Sequence, residues 1–272
     1  MDLNVFRHLW GLDGPTSSLI PRIAAAGYAG IEVELPPDGE CAALRAELEA
    51  SGLGYIPIVI LGDSSEADQA RRFREALELA KTFDPVGVTA HLGRDAWPLA
   101  RSIEFYKRVV EIEVEVGLRA AHETHRGLPL FTPWDTAAIL EAVPELRLCC
   151  DFSHWVVVGE RLLEDQRAAV QLAARHASHV HARVGYDQGA QVPDPRAPEY
   201  AKQLETFEGW WRLVWDAQSA AGVRTSTLTP EYGPPPYLQT LPYTGAPVVE
   251  LADVCDWQAQ RAREQFEAWQ GS

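Results

Sequence analysis

The sequence predicts a single (β/α)8 barrel. Eight short apolar runs alternate with amphipathic stretches along 272 residues, which is the element count and the size of one such barrel. Several amphipathic stretches end in glycine just before the next run, at AAAGYAG (24–30), ASGLG (50–54), EVGL (115–118) and SAAGVR (219–224), the pattern of a helix C-cap followed by a strand. The first run leads into RHLWGLDGPTS (7–17), which lacks the glycine-rich phosphate loop usual in a doubly wound open sheet, the alternative architecture.

The strands follow in order. LNVFR (3–7) is the first, and GIEVELP (30–36), the second, offers Glu32 and Glu34. LGYIPIVIL (53–61) is the third, and the helical stretch EADQARRFREALELAKTF (66–83) leads to the fourth, VGVTAHLG (86–93), which ends near His91. The helix 102–117 precedes strand five, LRAAHET (118–124), which ends in Glu123. His125 lies two residues on and therefore on the same face. Thr132 as N-cap, Pro133 in the first turn and Asp135 three residues after the cap open the next helix. Strand six, LRLCCDF (146–152), ends in Asp151, with His154 just beyond. Strand seven, SHVHARVG (178–185), places His179, His181 and Arg183 on one face and Val180, Ala182 and Val184 on the other. Strand eight, VRTSTLTPEY (223–232), ends in Glu231. The whole chain, 1–272, reads as one domain. Long loops at 184–198 and 231–247, rich in proline and aromatics, leave strand C-termini, where barrel active sites sit.

Composition narrows the function. With 46% hydrophobic and 23% charged residues the chain is globular, and a formal net charge of −15 disfavours nucleic acid. Four cysteines without a CxxC pair point to a reduced, cytoplasmic protein. MDLNVFRHLW (1–10) lacks the basic and apolar regions of a signal peptide, so none is expected, and no apolar run approaches the ~20 residues of a membrane span.

Inward ionisable groups on successive strand ends are expensive unless they serve a site, because barrel interiors are filled mostly by bulky aliphatics. If Glu123, Asp151, His181 and Glu231 converge, three carboxylates and one imidazole make a mainly oxygen ligand set. That set suits Mn²⁺, Mg²⁺ or Co²⁺, with a catalytic Zn²⁺ as an alternative. Two vicinal substrate oxygens on such an ion would permit an enediolate, with Glu123 and Glu231 as an acid/base pair.

A glutamate after strand five, D-x-x-H after strand six (Asp151, His154), a histidine on strand seven and a glutamate after strand eight together resemble the xylose isomerase-like TIM barrels. This sugar isomerase/epimerase superfamily also takes in hydroxypyruvate isomerases, ketose 3-epimerases, inosose dehydratases and the endonuclease IV type. The resemblance runs the whole chain and includes AGYAGIEVE (26–34). It implies Glu123, Asp151, His181 and Glu231 as metal ligands and His154 as a substrate contact. It implies Glu123 and Glu231 as the proton-exchanging pair. Arg183 is a looser match, because the epimerases place their substrate arginine further beyond the metal histidine. His91 and His125 complete the substrate-binding candidates. The endonuclease branch needs an Asp-x-His after strand seven, which HARVGYDQGAQVPDP (181–195) does not supply.

The expectation is therefore a metal-dependent isomerase or epimerase of a small sugar or hydroxy-ketone. A lyase or dehydratase acting on a keto-sugar, keto-glycoside or keto-inositol is the alternative. A non-catalytic carbohydrate- or partner-binding barrel and an endonuclease rank below both. Plainer readings stand beside several residues. Asp151 suits a helix N-cap; His154, a surface loop; His91, a structural role; His122, the helix-facing side; His179, the support of a ligand. Cys149 and Cys150 read as small buried strand residues. Trp210, Trp211 and Trp215 fit helix packing, or a subunit interface in a homo-oligomer. GPPPYLQTLPY (233–243) is a lid or a rigid loop, and Tyr232 and Tyr237 are candidates for stacking on a sugar.

Overall fold

The computed structural model describes residues 1–62 and 64–271. Eight parallel strands close into a barrel in sequence order: β1 (Asp2–His8), β2 (Gly30–Glu34), β3 (Gly54–Ile60), β4 (Thr89–His91), β5 (Ala121–Glu123), β6 (Arg147–Cys150), β7 (Ala177–His181) and β8 (Thr225–Thr229). Helices α1 (Thr16–Ala25), α2 (Cys41–Ser51), α3 (Glu66–Lys81), α4 (Leu99–Val116), α5 (Pro133–Ala142), α6 (Phe152–Gly159), α7 (Arg167–His176), α8 (Ala201–Ala220) and α9 (Leu251–Gln270) surround it. Among the described residues, no helix is long and apolar enough to cross a membrane.

Strand alternation sorts the side chains. Val5, Ile31, Tyr55, Val59, Ala90, Leu148, Val180 and Leu228 face outward and form the main core with the helices. Each opposite-parity residue faces the barrel axis. The caps follow the chemistry of the sequence. The Ser65 hydroxyl accepts from the Asp68 amide at 3.2 Å, and the Thr132 hydroxyl from the Asp135 amide at 3.1 Å. Gly52 and Gly117 end α2 and α4 in the left-handed conformation (φ 64° and 73°), where a side chain would be strained.

The structure departs from the sequence reading in several places. Strand β6 stops at Cys150 and β8 at Thr229, so Asp151 and Glu231 lie just past their strands. Eight helices were expected, and nine are present among the described residues; the extra one, α6, begins directly after β6. Its sequence, FSHWVVVG, is almost wholly apolar, so no helical periodicity marks it. Strands β4 and β5 are only three residues long. Strand β7 stops at His181, where the Arg183 amide turns back to donate to the His181 carbonyl at 3.0 Å, so Arg183 lies just past the strand. Trp211 and Trp215 are fully buried, and Trp210 packs on Phe152 and Phe207, which favours the packing reading of that stretch.

Candidate active site

Glu123, Asp151, His181 and Glu231 come together at the C-terminal mouth. One ligand atom from each lies within 4.8 Å of the others, and all four residues are buried. Their placement follows from four adjacent strand ends, β5 to β8.

Beneath this group lies Glu32, whose role the sequence reading left unassigned. It is fully buried on the inner face of β2. Its carboxylate pairs with His181 Nε2 at 3.0 Å and His179 Nε2 at 3.2 Å, and it accepts from the Thr89 hydroxyl at 2.5 Å. His179 Nδ1 meets the Thr227 hydroxyl at 2.8 Å. His179 therefore supports His181 through Glu32, one step further away than a direct contact. With Nε2 held from below, His181 presents Nδ1 to the cluster, 3.0 Å from Glu231 Oε2 and 3.5 Å from Glu123 Oε2. This is the usual support of a metal-binding imidazole. Glu32 was legible as an inward acid, but its partners lie 147 and 149 residues away in sequence.

Among the described residues, three buried atoms of the cluster make no well-aligned hydrogen bond: Glu123 Oε1, and His181 Nδ1 and Glu231 Oε2, which meet only as an ion contact at 3.0 Å. Unsatisfied buried atoms of this kind are costly. Converging as they do here, they fit a divalent cation, and the oxygen-rich donor set suits a hard ion.

Asp151 meets both of its sequence readings. Its Oδ1 accepts from the Ser153 amide at 2.9 Å and caps α6, while Oδ2 pairs with Arg183 Nη2. His154, in the first turn of α6, is fully buried, which corrects the surface-loop reading. Its Nε2 lies 2.7 Å from Arg183 Nη2 and 3.8 Å from Glu123 Oε1. Arg183 is also buried. It donates to the Glu231 carbonyl at 3.1 Å and the Ser153 hydroxyl at 3.2 Å, and its guanidinium lies 4.9 Å from the centre of the Tyr237 ring.

Charge follows position. Burial pushes the Asp151 carboxyl up to about 6; Arg183 opposes the rise, and Glu231 and Glu123 add to it. Burial works against ionisation of Glu123 too, but His91 and His181 outweigh it and hold that carboxyl well below its ordinary range. Burial opposes the His181 charge, yet Cys149, Glu231, Glu32 and Glu123 together raise its pKa well above the ordinary value. Burial lowers His125 to about 4.

A cavity of about 650 Å³ opens above the cluster, lined in part by His8, His91, His125, Arg183, Glu231 and Tyr237. His91 hydrogen-bonds Glu123 Oε2. His125 stacks between His91 and His154, with ring centroids at 5.3 and 3.9 Å. His8, which the sequence reading missed, ends β1 with Nε2 3.8 Å from Glu231 Oε1. The only signal for it was its place at a strand C-terminus. Tyr232 is 1% exposed, with its hydroxyl on the Val184 amide and Gln258, so it is unavailable for stacking on a sugar. His122 is buried on the outer face against Glu113 at 2.8 Å, consistent with its helix-facing reading. Cys149 and Cys150 are buried free thiols.

The fold has known relatives. A structure from Mycobacterium smegmatis, described as a xylose isomerase-like TIM barrel protein in complex with magnesium, superposes with TM-score 0.67 at 13% identity, covering 98% of this chain and 97% of that one. The probable 3-DHS dehydratase AsbF of Bacillus anthracis gives 0.65 at 14%, covering 94% and 97%. The 3-keto-D-glucoside 4-epimerase YcjR of E. coli gives 0.58 at 11%, covering 100% of each. No curated protein sequence matches. At these identities the likeness concerns the fold. The profile of the xylose isomerase-like TIM barrel family matches residues 20–198, more than half of the sequence, and the chain belongs to that family.

Proposed function

We propose that the protein is a divalent-metal-dependent isomerase or epimerase that moves a proton on the carbon beside the carbonyl of a sugar or keto-sugar. The observation that carries this is the convergence of Glu123, Asp151, His181 and Glu231, with three buried atoms that make no well-aligned hydrogen bond. A bound ion would polarise the carbonyl and hold two vicinal oxygens of the substrate. Glu231 opens onto the cavity and removes the proton, giving an enediolate. On the opposite side, His91 stands between Glu123 and the cavity, and Glu123 favours its charge against the effect of burial. His91 therefore delivers its own proton to the other face, and Glu231 and His91 then exchange protons with solvent. His125, held neutral by burial, orients the hydroxyl groups, and His154 packs behind it, its Nε2 beside Arg183. Arg183 counters the charge of Asp151 and Glu231.

One observation favours a second reading, elimination. Only one carboxylate of the pair faces the cavity, while the other side carries His91, whose charge Glu123 favours against the effect of burial. Such a site can deliver a proton to a departing hydroxyl or aglycone. The dehydratase among the structural relatives is in keeping with this.

The test reconstitutes the protein with Mn²⁺ in D₂O and offers a panel of ketoses, inososes and keto-glucosides. Elemental analysis should find about one ion per chain. Mass spectrometry should find deuterium on carbon, without loss of a substituent for isomerisation and with loss for elimination. No exchange on any member of the panel, or no ion, ends the proposal.

A further inference from the structure

The cavity has two unlike walls. The catalytic groups come from β5 to β8, with His91 from β4. Across the barrel, the β1–β3 side supplies Leu9, Trp10, Val33, Ile58 and Ile60. Among the described residues that line it there, only His8, beside Glu231, and Glu34, at the rim, are ionisable. Ile60 is 48% exposed, unusual for a large aliphatic side chain at a strand C-terminus. Trp10 is held in place. Its indole meets Tyr237 edge-on with centroids at 5.2 Å, and its backbone amide donates to His8 Nδ1 at 2.7 Å. Gly233 gives it room, since a Cβ there would sit 2.3 Å from the indole ring. The wall is a built surface.

Volume gives the second argument. Even at the ~30 Å³ that a liquid water takes per heavy atom, the twelve heavy atoms of a hexose fill about 360 Å³. The cavity is about 650 Å³. A lone sugar seated on the catalytic side leaves the apolar wall wet.

Resting on the keto-sugar reading above, we infer that the substrate is a keto-sugar joined to an apolar group of about ring size, which packs on Leu9, Trp10, Ile58 and Ile60. The sugar lies over the cluster between Glu231 and His91, and the apolar group lies beside it on β1 to β3, the strands that join β8 to β4.

Calorimetry on the full-length, Mn²⁺-loaded protein tests this with matched probes, methyl and phenyl 3-keto-β-D-glucoside. The phenyl compound should bind at least about tenfold tighter, as burial of a ring-sized apolar group requires. Ile60→Gln, at a half-exposed position, and Leu9→Gln should each reduce that ratio. Equal affinity for the two probes overturns this inference and leaves the keto-sugar reading intact. If phenyl β-D-glucoside, which lacks the ketone, binds equally well with or without Mn²⁺, the keto-sugar reading falls while the apolar wall stands. If neither keto-glucoside binds, both fall.

Discussion

Glu123 and Glu231 are the same residue type in the same cluster, yet their surroundings differ. Glu123, at the end of β5, is 1% exposed. One oxygen is tied to His91 and the other faces the cluster without a hydrogen bond among the described residues. Glu231, two residues past β8, lines the cavity; its backbone carbonyl is anchored by Arg183 and its Oε1 lies towards His8. A ligand enclosed by imidazoles is suited to holding a cation. A carboxylate at the cavity surface is suited to exchanging a proton with what lies there. The pair proposed as acid and base is therefore asymmetric, and His91 belongs to the Glu123 half.

The largest effect should separate these two roles. Glu231→Gln should lower kcat by about 10²–10⁴-fold with the ion still bound, as loss of a general base does. Glu123→Gln should lose the ion first. Kinetics paired with elemental analysis checks this, and equal losses of both properties in both variants would remove the asymmetry.

Next in size is Glu32, which serves neither glutamate directly but fixes His181 between them. Glu32→Gln should weaken Mn²⁺ binding about 10–100-fold in direct titration. Unchanged affinity would reduce Glu32 to a structural role.

The pH response comes third. Asp151, at about 6, and His181, raised well above its ordinary value, hold protons that a cation must displace. Below pH 6 both protons are displaced, so binding should weaken about a hundredfold per unit; above 6 only the His181 proton remains and the slope should ease to about tenfold per unit, measured by chelator competition. A flat profile from pH 5 to 7 would contradict this assignment of protons.

The smallest effect concerns Asp151. Asparagine is also a good N-cap, so Asp151→Asn should weaken metal binding while keeping α6. Asp151→Ala should cost about 1 kcal/mol more stability in urea titration. Equal stability of the two variants would show that the cap contributes nothing.

Much of this arrangement was legible in the sequence because barrels bring strand C-termini together. Glu123, Asp151, His181 and Glu231 could be read as inward residues from period-two alternation alone. What escaped needed information that local pattern lacks. His8 is a lone histidine at a strand end. Glu32 gains its meaning from His179 and His181, across the barrel interior. Helix α6 buries nearly every face, so its apolar run looks like a continued strand. Arg183 has the parity of an inward strand residue but reaches the site from a turn.

The shared carboxylate of Asp151 also limits how the site can diverge. One oxygen starts a helix and the other faces the cluster, so substitution there changes the backbone and the charge of the site together. His154 rides on the first turn of that helix and would shift with it. Neither Glu32 nor the apolar wall caps a helix through its side chains. On the proposed function, redesign of metal preference would have its free variable in the support of His181, and redesign of substrate in the β1–β3 wall. Asp151 is the fixed point around which both can change.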